Sequence, residues 1–148
     1  MDQQNITASD VIISVKDLKK YYNEGAVKAL DGITTDIRRG EVTVIIGPSG
    51  SGKSTFLRSL NLLELPTSGT ILFDGTDITD PRININRHRQ KMGMVFQHFN
   101  LFNNYTVLQN MTLAPVSLKL KTREEATENA MALLRRVGLE NKANEYPA

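Results

Sequence analysis

The sequence predicts an α/β fold with an antiparallel β subdomain, a partial parallel core sheet and the start of a helical subdomain. Three observations predict it. Residues 42–46 (VTVII) form a β-branched run whose one polar member is Thr43, which suits a strand covered on both faces, as in a parallel sheet. That run passes through a glycine-rich loop into a segment with Phe56, Leu57, Leu60 and Leu63 on one helical face. Before and after this unit lie short alternating runs joined by turn residues, the pattern of hairpins.

The elements follow in order. Residues 1–10 (MDQQNITASD) are polar and predict an irregular terminus. Residues 11–16 (VIISVK) and 33–37 (ITTDI) read as strands, with Asn23-Glu24-Gly25 as the hairpin loop between them and a turn at Gly40. The helix after the glycine loop is expected over 53–64, ended by Pro66 and Gly69. Residues 70–73 (TILF) lead through Asp74-Gly75, a favoured tight turn, toward Ile78. Residues 83–91 are helical in part, and 92–96 (MGMVF) predict another apolar strand. A short helix over 106–113 is expected to stop at Pro115. Thr122-Arg123-Glu124-Glu125 is a capping box, in which a hydroxyl and a carboxylate reciprocally satisfy open N–H groups. The helix it starts carries Ala130, Leu133, Leu134 and Val137 on one face, with Gly138 as its stop.

Composition narrows the function classes. The chain has 148 residues, with 18 Lys+Arg against 16 Asp+Glu and a net charge of +2. That near-balance argues against a dedicated nucleic-acid binder, which concentrates positive charge on one face. Hydrophobic residues are 40% and charged residues 23% of the chain, enough for a folded core. The absence of cysteine excludes a disulfide framework, a thiolate metal site and a thiol nucleophile, and suits a reducing compartment. The longest apolar runs are too short for a bilayer span, and no signal peptide is visible.

The segment Gly47-Pro48-Ser49-Gly50-Ser51-Gly52-Lys53-Ser54-Thr55 matches the pattern G-x-x-x-x-G-K-[ST]. Successive main-chain N–H groups must converge on phosphate oxygens, and glycines allow the curl this needs. The start of the following helix adds a favourable dipole. Lys53 would place its ammonium on the β- and γ-phosphates, and Ser54 its hydroxyl on Mg²⁺. A Ser/Gly linker would also supply such residues, but not between a buried strand and an amphipathic helix. The motif therefore points to a P-loop NTPase.

A second stretch is more specific. In 92–102 (MGMVFQHFNLF) an apolar run ends at Gln97, where the carboxyl edge of an open sheet meets ligand. Together with GPSGSGKST, NLLELPTSGTILFDGTDIT, RQKMGMVFQHFNLF and TVLQNMTLAP, it resembles the ATP-binding subunit of ABC transporters, and most the polar amino-acid uptake branch. The resemblance covers residues 11–148, as the N-terminal portion of an ABC ATPase domain with an incomplete core and a helical subdomain beginning near 104. It implies ATP and Mg²⁺ as cofactors, and Gln97 touching the magnesium and the attacking water. Tyr22 matches the aromatic that stacks on adenine, a contact of about 1–3 kcal/mol, although the Tyr21-Tyr22 doublet leaves the register open and a plain β-surface tyrosine is an alternative. Phe99, Leu101 and Phe102 fall where the family docks on its membrane subunits; by themselves they read equally as core.

The same resemblance implies transmembrane permease subunits as partners through 97–102, a homodimer of ATPase subunits, and indirect dependence on an extracytoplasmic solute-binding protein. It places the protein at the cytoplasmic face of the membrane, peripherally. It implies no nucleic-acid partner. Three other features carry bland readings. Asp74 imitates a magnesium-side aspartate but is explained by its turn, His98 reads as a solvated loop residue, and 87–91 (RHRQK) as a solvated helix face.

The family's signature L-S-G-G-Q, its acidic strand with the catalytic Glu and its switch histidine do not occur in these residues. The family's sheet also draws the neighbours of 42–46 from sequence beyond the signature, so that run is expected to have bare edges. Lys53 and Gln97 supply only part of what hydrolysis needs, so the isolated chain is expected to be inactive. The alternative reading is a non-hydrolysing nucleotide-binding fragment. A P-loop kinase or GTPase fits less well, since no arginine-clustered lid, base-reading motif or D-x-x-G element stands out.

Overall fold

The computed structural model describes residues 10–98 and 100–147. The expectations for residues 1–9 and for Phe99 lie outside the described residues. The chain divides into two compact units, the first ending at Met94 and the second beginning at Val95.

The first unit is built on a four-stranded sheet in the order β2-β1-β3-β4. Its strands are β1 (Val11–Tyr22), β2 (Val27–Arg38), β3 (Ser68–Phe73) and β4 (Thr76–Asp77), and every pairing is antiparallel. Both hairpins occur where turn chemistry predicts them. Asn23–Gly25 forms a single 3-10 turn between β1 and β2, and Asp74 and Gly75 both take positive φ in the β3–β4 turn, as a primed hairpin turn requires. β1 is longer than alternation alone predicts because it changes face midway. Val15 and Leu18 are both fully buried, yet an uninterrupted strand would send residues three apart to opposite faces. A register shift between them, with Asp17 at φ 45 and its N–H donating to Thr34 Oγ1 at 3.0 Å, restores both to the core.

Against this face packs α1 (Lys53–Ser59). Phe56 and Leu60 join Val15, Leu18, Leu30, Leu62, Ile71, Phe73 and Ile78 in one buried cluster. The helix is shorter than the expected 53–64. Ser59 Oγ bonds back to Thr55 O at 2.8 Å, Leu62 takes φ 55, and Asn61 Oδ1 accepts from Leu63 N–H at 3.2 Å. That reversal brings Leu62 into the core in place of Leu63, which is exposed along with Leu57. A single turn of helix, α2 (Ile85–Arg89), follows, capped by Asn84.

The two expected parallel-core strands do not pair. Residues 41–48 and 92–96 take no strand structure, and Val42, Val44, Ile46 and Val95 are 89%, 75%, 87% and 95% exposed. A parallel strand is stable only between neighbours that complete its ladder and cover both faces, and the described residues supply none. The antiparallel sheet stands as expected, and the bare edges expected of 42–46 are present, though neither run takes strand structure.

The second unit holds α3 (Val107–Ser117) and α4 (Arg123–Arg136). Both begin with complete capping boxes, Thr106 with Gln109 and Thr122 with Glu125. The N–H groups of Val107 and Leu108, open at the start of α3, donate to Glu145 O and Ala143 O at 2.9 Å. The chain beyond α4 thus returns to the start of α3, and the helices run antiparallel. Pro115 lies inside α3 rather than stopping it. It removes one N–H from the last turn only, and that turn closes through Leu118 N–H to Ala114 O and Leu120 N–H to Pro115 O. On α4 the buried stripe is Ala126, Ala130 and Leu134, with Leu133 and Val137 exposed, one row round from the expected face. Gly138 N–H to Arg135 O and Leu139 N–H to Leu134 O end the helix.

Candidate functional site

The glycine loop curls between the unpaired run and α1. A turn at 49–50 is closed by Ser51 N–H to Pro48 O at 3.3 Å, and Phe56 N–H to Gly52 O at 2.8 Å starts the helix. Gly52 sits at φ 88 with its Cα tight against β2: a Cβ there would stand 2.2 Å from Ala29 O. Only glycine lets the loop lean on the sheet at that point. A Cβ on Gly47 would stand 2.7 Å from Ser51 Oγ, so a side chain there would fill the inside of the curl. The loop is thus tightly curled and pinned at its end, the backbone shape that a phosphate-binding glycine loop needs.

Lys53 provides the charge. Its Nζ turns back into the loop and donates to Gly47 O at 2.9 Å, Pro48 O at 2.6 Å and Ser51 Oγ at 3.4 Å. All three acceptors are neutral, so its positive charge stays uncompensated and available to an anion. Ser54 is exposed beside it. Next to the loop, a cleft of about 380 Å³ runs between Ile33 and Ile37 of β2, residues 43–46 and Phe56, with Ser51, Gly52 and Lys53 at one end. Its aliphatic walls are the wrong chemistry for a polyphosphate; its polar end alone belongs to the site.

The tyrosine doublet separates into two environments. The Tyr21 hydroxyl donates to the Asp31 carboxylate, and Lys28 Nζ lies 5.3 Å from its ring centroid. The Tyr21 hydrogen bond holds Asp31 below the usual carboxylate range, and the same bond pushes the Tyr21 hydroxyl up. Tyr22 instead meets Lys20, whose Nζ is 4.9 Å from the ring centroid and bonds Glu64 Oε1 at 2.8 Å. Lys20 pairs across the sheet with Leu30, and Leu30 Cδ2 would lie 3.3 Å from a Cβ on Gly52. The stretch of β1 that carries Lys20 therefore lies across from the part of β2 on which the loop leans.

Gln97 belongs to the second unit, as an exposed bend. Leu101 and Phe102 are exposed rather than core, at 47% and 54%. Phe102 meets Tyr105 edge-on, with centroids 5.7 Å apart. Their loop is organised by Asn110, which sequence reading passed over. Its Oδ1 accepts from Phe102 N–H at 2.8 Å, and its Nδ2 donates to the carbonyls of Phe102, Tyr105 and Thr106 at 3.0–3.1 Å. An asparagine four residues past a helix cap was the available signal.

The other candidates resolve locally. Asp74 serves its turn and pairs with Arg39 and, at 3.9 Å, Lys91. His98 is exposed. The basic run 87–91 is only partly a solvated face. Arg89 donates through Nε to Asn61 O and through Nη2 to Leu62 O, both at 3.0 Å, and His88 meets Phe73 edge-on at 6.1 Å. Arg89 thereby caps the carbonyls where α1 ends, a tertiary bond no local pattern announces. No group of three His, Cys, Asp or Glu suited to a metal occurs among the described residues.

Comparisons with known proteins agree with the loop chemistry. A family model described as ABC transporter matches residues 30–148. The chain is 52% identical over 136 residues to the arginine transport ATP-binding protein ArtM of Bacillus subtilis, covering 92% of this chain and 56% of that protein. It is 50% identical over 131 residues to the glutamine transport ATP-binding protein GlnQ of Geobacillus stearothermophilus, covering 88% and 53%. Among solved structures it matches the ATP-binding cassette MJ0796, a dimer in a post-hydrolysis state bound to ADP and Pi, with TM-score 0.81 and 35% identity over 91% of this chain and 61% of that one. The chain thus spans about half the length of the curated relatives it matches.

Proposed function

This chain belongs to the ABC transporter family, and from that premise we propose that it is the nucleotide-binding portion of an importer's ATP-hydrolysing subunit, serving polar amino acids. The observation that carries the reading is Lys53, an ammonium held in a curled glycine loop by neutral acceptors alone. In this reading Gly47 to Thr55 receive the triphosphate, Lys53 neutralises its β- and γ-phosphates, and Tyr22 stacks on the base. Ser54 and Gln97 are the magnesium-side residues, and Gln97 also positions water. Magnesium, when bound, offsets phosphate charge.

The cargo is supported by the names of the relatives, an arginine and a glutamine transport protein. Partners are proposed on the same footing. Permease subunits dock through 97–102, where the exposed Leu101 and Phe102 offer apolar surface. A second ATPase copy completes the site, as the dimeric MJ0796 suggests, and a solute-binding protein acts beyond the membrane. The protein works peripherally at the cytoplasmic face; no helix among the described residues is long and apolar enough to cross a membrane. Residues 11–148 form the N-terminal portion of the ATPase domain, with its helical part from near 104.

A second reading, nucleotide binding without turnover by these residues alone, is favoured by the unpaired, exposed run at 42–46. The two are separated by titrating the chain with Mg·ATP in a calorimeter and assaying phosphate release in parallel. Binding without release favours the second reading and release above background the first. Lys53→Ala is expected to weaken ATP binding more than tenfold with an unchanged Tm, because the side chain buries no apolar core. Equal affinity in wild type and Lys53→Ala would refute the cradle assignment.

A further inference from the structure

At the Tyr22 end of β1, the residues that follow α1 are laced onto the strand. Thr67 N–H donates to Lys19 O at 2.7 Å, and Tyr21 N–H donates to Thr67 Oγ1 at 2.9 Å. Within this seam Lys20 makes three contacts at once. It bonds Glu64 Oε1 at 2.8 Å and Leu65 O at 2.7 Å, and lies 4.9 Å from the Tyr22 ring centroid. The Lys20 and Glu64 side chains are only 16% and 25% exposed, so salt screens the pair less than a surface ion pair. Glu64 is tied to the helix as well, its N–H donating to Arg58 O at 3.1 Å. The Lys20 hydrogen bond holds the Glu64 carboxyl below its usual range, and the Tyr22 hydroxyl adds a smaller pull in the same direction. One face of the ring is therefore committed to a cation, which is itself held by a carboxylate just beyond α1.

We propose that Lys20 and Glu64 are positioning residues for the base of a purine nucleoside triphosphate: Lys20 closes one face of Tyr22, so the base stacks on the other, and Glu64 holds Lys20 in place from the segment that follows the helix opened by Lys53. This rests on the nucleotide reading of the loop. An ammonium on one face draws density from the ring and makes the opposite face a better partner for an electron-rich purine. The ring is also oriented before the ligand arrives, so less freedom is lost on binding. Stacking is tolerant of base identity, so the pair favours purine nucleotides over a bare phosphate chain without separating adenine from guanine.

The test compares Mg·ATP with Mg·tripolyphosphate, which offers the same charge chemistry without a base, by calorimetry on the 148-residue chain. Lys20→Ala is expected to weaken ATP about fivefold while tripolyphosphate stays within about twofold, and Lys20→Arg, which keeps the cation over the ring, is expected to restore ATP binding. Tyr22→Ala should weaken ATP about tenfold, and the double variant Lys20→Ala/Tyr22→Ala no further, since Lys20 acts through the ring. Additive losses, or an unchanged ratio of ATP to tripolyphosphate affinity in Lys20→Ala, overturn the inference. Parallel loss of both ligands in Lys20→Ala overturns it too, by assigning Lys20 a general structural role. A wild-type chain that binds neither ligand overturns the cradle reading itself.

Discussion

Lys53 and Asp80 show how differently a charged residue can be used. Lys53 is left among neutral acceptors, whereas Asp80 is neutralised on the spot by Arg82, whose Nε and Nη2 meet its carboxylate at 3.0 and 2.6 Å while Arg82 N–H adds a bond at 2.9 Å. Those bonds hold Asp80 at about 2. A carboxyl whose folded value lies below its unfolded one stabilises the fold above the unfolded value, near 3.9, and that contribution fades as pH falls through about 2. Side-chain carbon NMR should find Asp80 titrating near that low value in the wild type and near the ordinary aspartate value in Arg82→Ala. An unmoved midpoint in the variant would show the arginine is not the cause. The glycine loop and its Lys53 are legible from sequence because the lysine finds its acceptors within 6 residues. Lys20, Glu64 and Arg89 were not, because their bonds span between 27 and 45 residues.

At the scale of elements, the local signal at Thr122 succeeded because the bonds that stabilise it are local. The capping box at Thr122 closes as expected, with Glu125 N–H to Thr122 Oγ1 at 3.2 Å and Thr122 N–H to Glu125 Oε2 at 2.8 Å. Thr122→Ala should destabilise the second unit by about 1 kcal/mol, read as lower hydrogen-exchange protection along α4. Thr127→Ala is the control. Its hydroxyl only bonds back to Arg123 O, so its loss should be neutral or slightly stabilising; an equal effect of both would deny the cap its role. Boundaries were less legible. The reversal at Leu62 shortens α1 because Leu62 has a core site to fill, and α4 turns Leu133 outward because Ala126 and Ala130 are the residues it buries. Periodicity marks the apolar stripe of a helix, but the neighbour decides which row is covered.

The whole molecule exposes what it cannot pair. Val42, Val44 and Ile46 stand in water beside the glycine loop, an aliphatic run without ladder partners among the described residues, which is expected to associate with other chains. Sedimentation of the chain should show concentration-dependent self-association, and Val44→Lys should suppress it without loss of folded content, because Val44 contributes nothing to the core cluster. A wild-type chain that stays monomeric at high concentration would contradict this.

The sequence by itself determined the glycine loop, its lysine, the antiparallel hairpins and the cap at Thr122, since each depends on residue types at short, constant spacing. Tertiary structure alone decided which row of α4 is buried, that Leu62 rather than Leu63 enters the core, and which tyrosine shares its surroundings with the end of α1. The reason is physical: hydrogen bonds within a turn are encoded by neighbours in the chain, whereas burial depends on what arrives from elsewhere to cover a surface.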